Sequence, residues 1–108
     1  MRKPEKERVL EELGGIPENI YDKLVREFAE SCRNNAAAAA EQISGGNLVE
    51  AAKTVHSIRG GALNLRIGDI GRLATSAEKK IQKNADREGV ALLLKKIAQA
   101  AEKLKKTC

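Results

Sequence analysis

Residues 48–65 read Leu48-Val49-Glu50-Ala51-Ala52-Lys53-Thr54-Val55-His56-Ser57-Ile58-Arg59-Gly60-Gly61-Ala62-Leu63-Asn64-Leu65. Leu48, Ala51, Val55, Ile58, Ala62 and Leu65 recur at steps of three, four, three, four and three. That stripe predicts one helix with a heptad-like core face, as in a helical bundle. The same stretch holds the chain's one histidine. His56 lies one position beyond Val55, and a rotation of about 100° per residue sets it at the shoulder of the stripe, turned towards solvent. Ala52, Lys53, Arg59 and Gly60 surround it at three and four residues' distance, and Leu63 adds an apolar contact further along. No acid stands close to it in sequence.

A lone histidine on a helix is by default a surface residue without a role. Gly60-Gly61 weighs against that default. Each glycine inside a helix costs about 1 kcal/mol relative to alanine, so two in a row in an alanine-rich chain imply a steric purpose. Close helix packing is one purpose, and access for a partner protein is the other. Imidazole is neutral and nucleophilic near pH 7, and a guanidinium three residues on shares its helix face and binds phosphoryl oxygens. The local chemistry is that of a histidine reached from outside that carries an anionic group.

Outward from this stretch the chain divides into helices. Pro4 to Leu13 reads as a short helix with Val9, Leu10 and Leu13 on one face, stopped by Gly14-Gly15. Pro17 starts a long helix to about Ser44, with Tyr21, Leu24, Val25, Phe28, Cys32, Ala36, Ala39 and Ile43 on its stripe. Ser44-Gly45-Gly46-Asn47 ends it and offers Asn47 as the N-cap of the histidine helix. Asp69 is the expected N-cap of a fourth helix through Ile70, Leu73, Ala74, Ala77 and Ile81, ending near Asn84. Asp86 caps a last helix with Val90, Leu93, Leu94, Ile97, Ala101 and Leu104 inward and its lysines on a solvated outer face. The expected fold is all-α: an antiparallel up-down-up-down four-helix bundle, core about 16–106, with a short extra N-terminal helix lying across one end, in a single domain over 1–108.

The 108 residues suffice for one modest core but not for a deep substrate cavity as well. Aromatic content is 2 %, from Tyr21 and Phe28, so the expected core is Leu, Ile, Val and Ala. A net charge of +5 fits an acidic protein partner, nucleic acid or an anionic membrane. With so few aromatics there is little for bases to stack on, and no helix-turn-helix signal is present. No apolar run is long enough to span a membrane, and the charged N-terminus lacks a signal-peptide pattern, so the expected location is cytoplasmic. Cys32 falls on an apolar stripe as a small buried residue, and Cys108 is terminal. One histidine and two distant cysteines make no metal site.

His56-Ser57-Ile58-Arg59-Gly60-Gly61-Ala62 resembles the core motif of histidine phosphotransfer (HPt) domains: histidine, two residues, lysine, glycine. The version in the N-terminal phosphotransfer domain of chemotaxis histidine kinases, commonly HSIKGGA, is the most similar. Tyr21 to Phe28 is similar to the family's helix ending in phenylalanine. Ser44 to Leu48 resembles the turn before the histidine helix, and Leu73 to Glu78 the leucine-to-glutamate segment downstream. The resemblance covers roughly 16–104. Two positions depart from it. Arg59 stands for the family's lysine. Arg66 stands where the family often has glycine, so that either the helix runs slightly longer or Arg66 joins the partner surface.

The resemblance implies a phosphorelay intermediate. His56 would accept a phosphoryl group at Nε2 from a receiver-domain aspartate or a histidine kinase and pass it to a receiver aspartate. Arg59, Gly60, Lys53, Ala52 and Leu63 would form the phosphoryl and partner surface. The response-regulator receiver domain would bring the acidic pocket and Mg²⁺. The carrier itself would hold no cofactor or metal and, lacking a phosphate-cradling loop, would not phosphorylate itself from ATP. A monomer is expected, since one chain closes the bundle. The rival readings are a phosphorylation-independent docking module and a basic nucleic-acid-binding domain.

Overall fold

The structure is a computed structural model and describes residues 3–83 and 86–107. Among these residues there are five helices and no strand: α1 (Lys3–Glu12), α2 (Glu18–Ser44), α3 (Leu48–Asn64), α4 (Gly68–Gln82) and α5 (Arg87–Thr107). The expected boundaries hold to within a residue or two, except that the expected end of α4 at Asn84 and the terminal Cys108 lie outside the described residues.

Three turns stop their helices in the same way. At Gly14, Gly46 and Arg66 the chain enters the left-handed region, with φ of 88°, 79° and 62°. In each, two N–H groups turn back to the last free carbonyls: Gly15 to Leu10 and Gly14 to Glu11, Asn47 to Gln42 and Gly46 to Ile43, Ile67 to Ala62 and Arg66 to Leu63. This is the paired bond of a Schellman cap. Glycine fills that position at no steric cost in two of the turns. In the third, Arg66 fills it and adds its own guanidinium, donating from Nη1 to Leu63 O at 2.9 Å and Asn64 O at 3.3 Å. Its Nε also lies 3.5 Å from Glu12 of α1. The longer-helix alternative for Arg66 therefore does not hold: α3 ends at Asn64, and the side chain contacts the end of its own helix and α1.

Asn47 caps α3 as expected, accepting from Glu50 N–H at 3.4 Å. Asp86 caps α5, accepting from Gly89 N–H at 3.0 Å. Asp69 is not the cap of α4. The Arg66 turn delivers the chain into that helix earlier, with Ile67 at the cap position. Asp69 sits in the first turn and accepts from Ile70 N–H at 2.8 Å, where its charge suits the helix dipole.

The four long helices close a ring: α2 packs on α3 and α5, and α4 packs on α3 and α5. The centre is made of small residues. Ala29, Ala36, Ala39, Ala51, Ala62, Ala74, Ala77 and Ala101 are buried with Val25, Val55, Ile58, Ile70 and Ile97, whereas Leu94 is the one described leucine in that set. Methyl side chains let helix axes approach closely, and the longer leucines cover the rim instead, as Leu48, Leu65, Leu73, Leu93 and Leu104 do. Leu24, expected on the core stripe, is 40 % exposed for this reason. Tyr21 is buried and donates its hydroxyl to Leu65 O at the turn after α3. The short α1 sits at that same end, held by buried Val9 and by Lys6 Nζ, which reaches Asp22 at 2.6 Å and Glu18 at 3.0 Å. No described helix is long and apolar enough to cross a membrane.

Candidate functional site

His56 sits midway along α3, with Val55 and Ile58 beside it buried in the core. The buried neighbours fix the helix rotation, and the imidazole emerges beside α4 with its side chain 59 % exposed. Its Nδ1 lies 3.0 Å from Oε2 of Glu78 on α4. Directing Nδ1 at α4 leaves Nε2 at the exposed end of the ring. Glu78 is the one buried charged residue of the described chain. Burying a carboxylate is costly unless it is paired, and two partners converge on it. Besides His56, Arg59 places Nη1 3.3 Å from Glu78 Oε1. That second approach is an ion-pair contact whose geometry does not amount to a hydrogen bond.

Arg59 also lies against the histidine, with Nη2 3.2 Å from His56 Nδ1. The three side chains thus form a triangle with Arg59 on the Nδ1 side of the ring. A single Nδ1 atom has either a proton to give or a lone pair to receive. With Glu78 it donates; with Arg59 it accepts. Donation to Glu78 leaves Nε2 unprotonated and nucleophilic.

The two glycines of the pair have different surroundings. A Cβ at Gly61 would meet Phe28 of α2 at 2.7 and 2.9 Å, so Gly61 is there for packing. A Cβ at Gly60 would meet nothing within 4 Å, so no packing contact requires glycine there. On the other side of the ring a groove of about 800 Å³ runs between α3 and α4, lined by Leu48, Val49, Ala52, Lys53, Ile81 and Gln82 together with His56 and Glu78. Lys53 is largely exposed and lies 3.6 Å from Glu50. Ala52 and Lys53 thus line the groove beside His56. Leu63 is not in the groove. It is exposed two turns along α3, and its side chain lies over Gly71 of α4.

Periodicity missed Glu78. The expectation of no acid near His56 held only along α3, because the carboxylate arrives from the neighbouring helix, 22 residues away. The one pointer in the sequence was the downstream segment ending at Glu78. Of the other reactive groups, Cys32 is buried, and burial pushes its thiol up to about 12. No group of residues suited to hold a metal ion occurs among the described residues.

A family model described as the Hpt domain matches residues 23–107. No curated protein and no solved structure matches the chain. The matched span runs from the first turns of α2 to the end of α5, and it takes in His56, Arg59, both glycines and Glu78 while leaving α1 outside. Covering most of the chain and all of the site, the match makes this protein a member of the Hpt domain family.

Proposed function

We propose that this protein is a phosphoryl carrier in which His56 takes a phosphoryl group from a receiver aspartate or a kinase and delivers it to a receiver aspartate. The family's business is histidine phosphotransfer in phosphorelays. The observation that carries the residue-level reading is the pose of His56: Nδ1 on a buried carboxylate at 3.0 Å, Nε2 outward, and open space over Gly60. In the forward step the Nε2 lone pair forms the N–P bond. The P–O bond to the donor carboxylate breaks, and its electron pair leaves with that carboxylate. The proton on Nδ1 stays on the ring, facing Glu78, and offsets the charge of the bound phosphoryl group. Such a transfer needs in-line placement and charge neutralisation more than proton chemistry. The receiver supplies its acidic pocket and Mg²⁺. This chain supplies the nucleophile, the cations Arg59 and Lys53, and an approach over Ala52, Gly60 and Leu63.

Residues 1–108 act as one monomeric phosphotransfer unit in the cytoplasm, without a cofactor of their own. Its four long helices run up-down-up-down. That order is supported by contacts that pair rising with falling residue numbers: Phe28 with Gly61 and Gln42 with Thr54, His56 with Glu78 and Leu63 with Gly71, Glu30 with Lys105 and Arg33 with Glu102.

The test is transfer of label from a phosphorylated receiver of the same organism, with Mg²⁺, at several salt concentrations. The expected product is an acid-labile, alkali-stable label on wild type and none on His56→Gln. A label that persists in His56→Gln would refute the assignment. No label on wild type from a broad panel of donors would favour the docking module.

A further inference from the structure

We infer that the outer face of α4 and α5 is a docking surface for an anionic phospholipid bilayer. Charge is unevenly divided along the chain. Residues 1–67 hold ten basic and ten acidic side chains, whereas residues 68–108 hold ten basic and five acidic, so the whole excess of +5 falls on α4, α5 and the turn between them. Three of those five acids are already engaged: Glu78 with His56 and Arg59, Asp86 with Lys80, and Glu102 with Arg33. Lys105 is held by Glu30. Arg72, Lys79 and Lys83 on or just after α4, and Arg87, Lys95, Lys96, Lys103 and Lys106 on α5, are exposed and have no ion pair among the described residues.

On α5 the buried Val90, Leu94, Ile97 and Ala101 set the inward side. Lys95, Lys96, Lys103 and Lys106 fall opposite, within an arc of about 100°, together with exposed Leu92 and Gln99; Glu88, at the helix start, is the one acid in that arc. Glu102 and Lys105 lean to α2, so Lys96 and Lys103, on the other flank, lean to α4. Since α2 and α4 each pack on both α3 and α5, α5 stands across the ring from α3, and its outer face turns away from His56. The chemistry of the face selects the partner. Six of the eight unpaired cations are lysines, point charges on flexible stems that suit a diffuse anionic layer better than bidentate recognition of single phosphates. No aromatic is there for a base to stack on, since Tyr21 and Phe28 both belong to α2. Leu92 is 53 % exposed beside Lys95 and Lys96. An aliphatic side chain enters a headgroup layer while neighbouring lysine stems lie along it and keep their ammonium groups at the lipid phosphates. A nucleic-acid backbone offers it no such place.

Co-sedimentation of the full chain with mixed phosphatidylserine and phosphatidylcholine vesicles tests this, beside titrations with duplex DNA and single-stranded RNA in the same buffer. Wild type is expected to bind the mixed vesicles and not phosphatidylcholine alone. Replacing Lys96→Gln, Lys103→Gln and Lys106→Gln together is expected to weaken binding on the order of a hundredfold, at about fivefold for each cation. Replacing Lys3→Gln, Arg8→Gln and Lys23→Gln removes the same charge from exposed positions of α1 and α2 and is expected to change little. Leu92→Ser is expected to weaken vesicle binding about threefold to tenfold, and circular dichroism to show the same helix content throughout. Equal losses in the two triple variants would overturn the inference, because binding would then follow net charge and not this face. Tighter binding to DNA or RNA than to the mixed vesicles would also overturn it, in favour of a nucleic-acid surface, and so would no vesicle binding at all. One readout rests on the carrier reading. Phosphoramidate, a donor too small to need docking, is expected to label His56 equally fast on vesicle-bound and free protein, and slower labelling on vesicles would put the bilayer against the histidine side instead.

Discussion

On the side of α3 that faces α2, a methyl group at Gly61 would run into the Phe28 ring at 2.7 Å; on the side that faces outward, one at Gly60 would touch nothing within 4 Å. The two residues are consecutive and identical, and a helix turns them about 100° apart. One glycine admits a neighbouring helix, and the other leaves open space beside it. A helix that carries a reactive group must meet both demands. It has to be held rigidly along one edge so that the group on another edge stays in place.

Substitutions at the pair separate stability from transfer. Gly61→Ala carries the largest expected effect, a loss of about 1–3 kcal/mol from overpacking against Phe28, read by urea unfolding. Phe28→Leu combined with it is expected to restore part of that loss, and additivity of the two would show that they do not share the contact. Gly60→Ala is expected to do the reverse. It gains up to about 1 kcal/mol of helix stability, leaves labelling by phosphoramidate unchanged, and slows transfer with a receiver domain, whose approach the methyl obstructs. Equal slowing with both donors would mean that Gly60 acts on the ring and not on access.

The smallest effect belongs to the α2–α5 edge. Along α2 and α5, Arg33 pairs with Glu102 at 2.6 Å and Lys105 with Glu30 at 2.7 Å, all four side chains being about half exposed. Hydrogen bonds from Arg33 and Lys105 hold Glu102 and Glu30 below their ordinary value of 4.5. The folded state then binds fewer protons than the unfolded one as pH falls through this range. The stabilisation is complete above the ordinary glutamate value and is lost as pH drops through the folded values. Melting curves below pH 5 should show a modest loss that Glu102→Gln and Glu30→Gln reduce and that added salt also erases. An undiminished pH dependence in those variants would place it elsewhere.

Helix number, order and most boundaries were legible because the apolar stripes at 21–43, 48–65 and 70–81 repeat with the helical period. The stripes did not say which apolar residues become the centre. That depended on four helices closing a ring around alanines, with Leu24 left on the outside. His56 was legible from its neighbours on α3. Glu78 was not, since it lies one position past Ala77 on the α4 stripe and becomes a site residue only when α4 is laid against α3. The Arg66 turn was not legible because a positive φ at a non-glycine residue leaves no pattern in composition. Its guanidinium offsets the strain by bonding the carbonyls of Leu63 and Asn64.

Cys32 is 1 % exposed, and burial pushes its thiol up to about 12. Alkylating reagents attack the thiolate and must reach it, so this sulfur stays silent until α2 separates from its neighbours. In a Cys108→Ser background, the labelling rate at Cys32 counts openings of the bundle under native conditions. Gly61→Ala should quicken that count and Gly60→Ala should slow it. The chain therefore carries a built-in clock for its own core.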